Sequence, residues 1–158
     1  MDVLEIGGGY SPVYHLNLDI EKVIGKVDIV SDVRTGLPFI DGCYDYVYSA
    51  HLIEHLFYRE GEIFLREVWR ILKTGGKAQI ICPDLEELVQ QYKREGLTDR
   101  VWGAFCGGHN NPCDVHHAIY DEFALRNTME KVGFKIVAVE TKCYNRYGIP
   151  EIRMVGVK

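Results

Sequence analysis

The sequence predicts an α/β fold built on a mostly parallel sheet. Three observations carry that prediction. Short apolar runs rich in strand-forming residues alternate along the chain with segments of helical spacing. The first such run, Val3-Leu4-Glu5-Ile6, leads directly into Gly7-Gly8-Gly9, where backbone without Cβ atoms can pass close to a ligand. The next two runs end in the acidic residues Asp19 and Asp32.

Val3 to Ile6 reads as a buried strand. His15 to Asp19 alternates apolar and polar side chains as a second, and Val27 to Ser31 forms a third. Tyr44 to Ser49 is a fourth, rich in Tyr and Val. Tyr58 to Leu72 shows helical spacing, with Phe64, Leu65, Val68, Trp69 and Leu72 on one face. Gly75-Gly76 then supplies a helix stop, and Lys77 to Cys82 a fifth strand. Asp84 with Glu87 three residues on is a capping box opening a helix to about Arg94. Asp121 caps another, which turns Leu125, Met129 and Val132 inward and ends at Gly133. Phe134 to Glu140 and Ile152 to Val157 complete the strands. Nine residues separate Gly9 from Asp19, and part of that span is the second strand. A crossover with its helix takes about a dozen residues. The spacing, with Pro12 inside it, predicts a turn or single helical turn there, and at most about two turns over 20–26.

With 158 residues the chain is expected to form one domain over 1–158 with one core. Its net charge of -5 offers no broad attraction to nucleic acid or an anionic membrane, so neither is expected as a partner. No apolar run reaches the roughly 18 residues that span a bilayer. The five cysteines, at 43, 82, 106, 113 and 143, are odd in number and scattered, which suits reduced thiols and a cytoplasmic location.

The chemistry concentrates at strand ends. Glycines followed by an acidic residue at the tip of the next strand suit a nucleoside-containing cofactor, with Asp19 accepting from a ribose diol. A nicotinamide site fits poorly. That fingerprint needs a glycine or alanine where Pro12 stands, opening a full helix to hold a pyrophosphate.

Taken in order, the pieces Leu4-Glu5-Ile6-Gly7-Gly8-Gly9, Asn17-Leu18-Asp19-Ile20, Ser31-Asp32-Val33, Asp41 to Val47, His51-Leu52-Ile53-Glu54-His55 and Arg66 to Gly76 make the chain resemble the class I S-adenosylmethionine-dependent methyltransferases, in their compact type-11-like group. The resemblance runs from about residue 2 to residue 140. It implies a Rossmann-like three-layer sandwich with the final strand antiparallel and the first helices shortened. It implies S-adenosylmethionine as cofactor and S-adenosylhomocysteine as product. Glu5, Gly7, Gly8 and Gly9 would surround the amino-acid part of the cofactor. Asp19 and Ile20 would meet the ribose, and Asp32 with Val33 the adenine. Ser49, Ala50 and His51 would line the floor near the methionine portion. The chain departs from the pattern in two places. Ser11 stands where a third glycine is common, and the sequence starts at the first strand with no preceding cap helices.

The acceptor class implied is a small molecule or a glycan-type group, with a homodimer left open. For a hydroxyl acceptor His116, His117 or His51 would serve as base, because imidazole titrates near neutrality. The contrasting reading is a non-catalytic cofactor-binding module that needs a partner, or a fragment of a longer enzyme. No metal is expected. His51 and His55 flank Glu54 in the wrong order for a zinc-protease helix. Cys106, His109, Cys113 and His116 have ligand-like spacing, but their connecting loop is very short for a tetrahedral site.

Overall fold

The computed structural model describes residues 1–110 and 112–158. Its strands are β1 (Val3–Ile6), β2 (Asn17–Asp19), β3 (Ile29–Val30), β4 (Tyr44–Ala50), β5 (Leu72–Pro83), β6 (Lys135–Tyr144) and β7 (Pro150–Val157). They form one sheet in the order β3-β2-β1-β4-β5-β7-β6. The pairs from β3 to β5 are parallel. β7 runs antiparallel to both β5 and β6, so the expected antiparallel final strand is present. The carboxyl ends of β1, β2, β3 and β4 therefore share one edge, where open α/β sheets carry their ligands.

Among the described residues the α-helices are α1 (Tyr58–Ile71), α2 (Leu85–Glu95), α3 (Asp99–Cys106) and α4 (Glu122–Val132). α1 buries Gly61, Phe64, Leu65, Val68 and Ile71, while Glu62 pairs with Arg66 one turn on at 2.8 Å. α4 starts where the Asp121 carboxylate accepts the Ala124 N–H at 2.7 Å, and it buries Leu125 and Met129. These faces close on Leu4, Ile6, Val47, Ile80, Ile152 and Met154 of the sheet, and all of these side chains lie in one continuous core. Removing that apolar surface from water is the main stabilising term. Cys43, Cys82, Cys106 and Cys143 are free thiols.

Three details differ from the sequence expectation. Gly75-Gly76 does not stop α1. The helix already ends at Ile71, and Leu72 enters β5 directly. Tyr44 pairs with Leu72 and Tyr46 with Lys77, so the glycine pair sits in a looped-out stretch of the strand. α3 was not expected. The Thr98 hydroxyl caps it by accepting the Val101 N–H at 3.3 Å, but its eight residues include Gly103 and make only about two turns, too short a stretch to show a period. Between β1 and β2, and between β2 and β3, the chain forms turns and no helix. The connections there are as short as the spacing predicts.

Candidate active site

The glycine loop is clamped from below. Asn17 is fully buried, and its Oδ1 accepts the Gly8 N–H at 3.1 Å while its Nδ2 donates to the Lys26 carbonyl at 2.9 Å. Glu5 is buried too, and its Oε2 accepts the N–H groups of Val13 and Tyr14, both at 2.6 Å. Burial raises the Glu5 carboxyl above its ordinary range, against the pull of those two bonds. Gly8 packs so tightly here that a Cβ would lie 2.8 Å from Asn17 Oδ1 and from Glu5 Oε1. Gly7 has φ +82°, which a side chain rarely adopts. Glu5 thus shapes the loop through its backbone.

A cavity of about 290 Å³ opens beside this loop. Gly7, Asp19, Ile20, Asp32, Val33 and His51 all line it, over an apolar floor of Ile6, Leu18 and Leu52. Asp19 accepts the Gly9 N–H on Oδ2 at 2.9 Å and the Glu21 N–H on Oδ1 at 3.1 Å. Each carboxylate oxygen can accept two bonds, so both retain capacity toward the cavity. Asp32 caps a 3-10 turn, Val33–Thr35, by accepting the Arg34 N–H at 2.9 Å. The Arg34 guanidinium also grips both of its oxygens, at 2.7–3.0 Å. That guanidinium holds the Asp32 carboxyl below its ordinary value.

A second, wider cleft of about 650 Å³ lies on the other side of the loop. Glu5, Gly8 and Ala50 line it together with Tyr48, Gln79, Tyr144, Arg146, Tyr147, Glu151 and Arg153. Gly7 and His51 line both spaces. Ser49 does not reach either one; it is buried in β4 between β1 and β5. Gly9 lines neither, and its contribution is the bond to Asp19.

His51 is fixed at this junction. It sits at φ +54°, with its N–H donating to the Ile81 carbonyl at 2.9 Å. Its Nδ1 lies 3.0 Å from Glu54 Oε1 and its Nε2 2.7 Å from Glu151 Oε1. Burial alone would depress the imidazole. The two carboxylates outweigh it and push the pKa up to about 10. Both ring nitrogens are therefore occupied.

The other two histidines take different places. His117 lines the 290 Å³ cavity and stacks on Phe57, with ring centres 4.4 Å apart. His116 lines neither space. It lies behind, edge-on to His55 at 4.7 Å, and burial lowers its imidazole below the ordinary value. Of the cysteine and histidine set at 106, 109, 113 and 116, only His116 joins a group of three metal-competent side chains among the described residues, and its companions are Glu54 and His55. The His109 ring instead contacts the Cys106 carbonyl at 2.9 Å.

Sequence reasoning gave Asn17 no role and did not find Glu151 or Arg153. A buried asparagine at the start of a strand was the available signal for Asn17. Glu151 meets His51 across 100 residues, and no local pattern encodes that contact.

Comparison with known proteins bears on the domain and the fold. Residues 14–80 match the model of a methyltransferase domain. No curated protein sequence matches the chain. The fold is similar to that of a SAM-dependent methyltransferase from Thermotoga maritima, with TM-score 0.72 and 18% identity over 99% of this chain and 82% of that one. A SAM-dependent methyltransferase from Methanosarcina mazei gives TM-score 0.72 and 17% identity over 99% and 92%. The Burkholderia thailandensis 1,6-didemethyltoxoflavin-N1-methyltransferase, with bound 1,6-didemethyltoxoflavin and S-adenosylhomocysteine, gives TM-score 0.69 and 14% identity over 99% and 70%.

Proposed function

We propose that the chain is an S-adenosylmethionine-dependent methyltransferase, a reading supported by the domain match over residues 14–80 and by the fold, and that it methylates a small-molecule or glycan-type acceptor held in the 650 Å³ cleft. The observation that carries this reading is the meeting of two spaces at Gly7 and His51. One has the residues a nucleoside needs, and the other has aromatic faces and fixed donors for a second molecule.

The cofactor fits the first space by its donor set. Asp19 would accept from the ribose hydroxyls, Ile20 and Val33 would offer apolar walls, and Asp32 would accept from the adenine amino group in exchange for one of its Arg34 bonds. S-Adenosylmethionine, when bound, supplies an electrophilic methyl group on sulfur. The chain's own task is alignment, which can be worth about 7–11 kcal/mol. Gly7, next to the clamped Gly8, lines both spaces. His51 orients and does not accept protons, because both ring nitrogens already face carboxylates. Of His51, His116 and His117, His117 is the one left with access to the cofactor cavity, and we assign it the base role for a hydroxyl acceptor. His116 supports from behind.

In the cleft, Arg146 lies over the Tyr147 ring with Cζ 4.8 Å from its centre. An aromatic face beside a guanidinium suits a ring bearing several oxygens. The reading is tested by methyl transfer from radiolabelled S-adenosylmethionine to a panel of phenols, sugars and amines. Tyr147→Ala should raise the KM for the best acceptor by about tenfold, the size of one lost aromatic contact of roughly 1.5 kcal/mol, with unchanged affinity for S-adenosylhomocysteine. An acceptor KM that Tyr147→Ala leaves alone would place the acceptor elsewhere.

A further inference from the structure

At the edge of the cofactor cavity, which His55 itself lines, lies a cluster whose ligand capacity goes beyond what methyl transfer needs. Glu54, His55 and His116 bring one ligand atom each to within 4.8 Å of one another. Glu54 is 1% exposed. Its Oε1 faces His51, but its Oε2 is buried with no hydrogen-bond partner. A buried carboxylate oxygen left without a partner is costly and calls for an explanation. The two histidines are oriented alike. His55 Nδ1 lies 3.1 Å from the Val115 carbonyl, and His116 Nδ1 lies 3.1 Å from the Ala104 carbonyl. A carbonyl only accepts, so each Nδ1 carries the proton and each neutral ring keeps its lone pair on Nε2. Metal-binding histidines are oriented this way, with the far nitrogen tied to backbone.

We propose that Glu54, His55 and His116 form a binding site for a divalent transition-metal ion, zinc foremost. Two imidazoles and a carboxylate are a borderline-soft donor set that suits zinc, cobalt, iron or nickel better than magnesium or calcium. Bonds of about 2.0–2.2 Å require donors no more than about 4.4 Å apart, so a small inward rotation of the rings closes the site. Three protein ligands leave a coordination position for water or a substrate oxygen. The metal would clip the segment 112–117, which forms one wall of the cofactor cavity, to the segment after β4. The neighbouring backbone already makes that connection. The N–H groups of His117 and Ala118 both donate to the Glu54 carbonyl, at 2.8 and 3.0 Å. The proposal stands apart from the methyl-transfer reading, because metal binding is measured without cofactor or acceptor.

The test titrates the metal-stripped full chain with Zn²⁺ alone and with Co²⁺ alone. The expected result is one saturable site per chain, with visible Co²⁺ ligand-field bands and no thiolate-to-metal charge-transfer band. Glu54→Gln and His116→Ala should each weaken binding by about a hundredfold, at or beyond the upper end for loss of an outer-shell partner. If either variant does not fold, paramagnetic broadening by Co²⁺ in the wild-type chain decides, with the His55 and His116 ring resonances lost first. A folded chain that binds neither metal overturns the proposal. So does binding that the variants leave intact, or a thiolate charge-transfer band, which would assign the ion to cysteine.

Discussion

Two sides of one junction are built by different routes. On the cofactor side the defining contacts are short in sequence: Gly9 to Asp19 spans 10 residues, Gly8 to Asn17 spans 9, and Arg34 to Asp32 spans 2. On the cleft side His51 meets Glu151 across 100 residues, and Tyr46 meets Gln79 across 33. The first side is made mainly by consecutive strand ends and their loops, with the segment 112–117 as a distant wall. The second exists only once β7 has docked against β5. A fold that fixes one cavity largely by local contacts can vary the distant half, as loops on rigid scaffolds commonly do.

The sharpest way to break this contrast is His51→Ala. It leaves Glu54 and Glu151, both buried, without the imidazole between them. Losing one partner of such a set costs about 3 kcal/mol, the lower figure for a buried ion pair because the His51 ring is partly exposed. Urea unfolding measures it, and an unchanged midpoint would mean that the carboxylates find solvent.

A smaller effect is expected from Gly8→Ala on the local side. The added Cβ meets Asn17 and Glu5 at 2.8 Å, an overpacking cost of about 1–3 kcal/mol. Thermal unfolding should show it, and S-adenosylhomocysteine should bind more weakly as the loop shifts. A variant as stable as the parent would show that the clamp yields.

The smallest effect concerns pH. Arg34 holds the folded Asp32 pKa below 3.8, so this pair contributes stability above the unfolded value that is lost as pH falls through the depressed folded one. Both groups are partly exposed, at 47% and 28%, which keeps the contribution below about 1 kcal/mol. In Arg34→Ala the Asp32 carboxyl should titrate at its ordinary value by NMR. A titration that does not move would assign the shift to the turn's backbone N–H.

The same contrast explains what could be read from the sequence. Strand identity, the acidic strand tips and the short first crossovers are local facts. Val3–Ile6 and the start of α1 at Tyr58 fall where periodicity places them. The glycine pair at 75–76 misled because glycine marks a helix end and a strand bulge equally well, and only pairing with β4 distinguishes them. His51 was legible as a residue at the site. Its two carboxylate partners lie on separate elements, so its charge state depends on tertiary packing. His116 and His117 are adjacent in the chain, and only the fold shows that His117 faces the cavity while His116 turns toward Glu54 and His55.

The central claim is that the strand-edge cavity binds the cofactor through Asp19. Calorimetric titration of the full chain and of Asp19→Ala with S-adenosylhomocysteine tests it most directly. The account predicts micromolar binding by the wild-type chain. It predicts a loss of roughly 1.5–3 kcal/mol in the variant, the scale of one hydrogen bond to a charged group, which is a factor of about ten to a hundred and fifty. Equal affinity in a folded Asp19→Ala chain would contradict it.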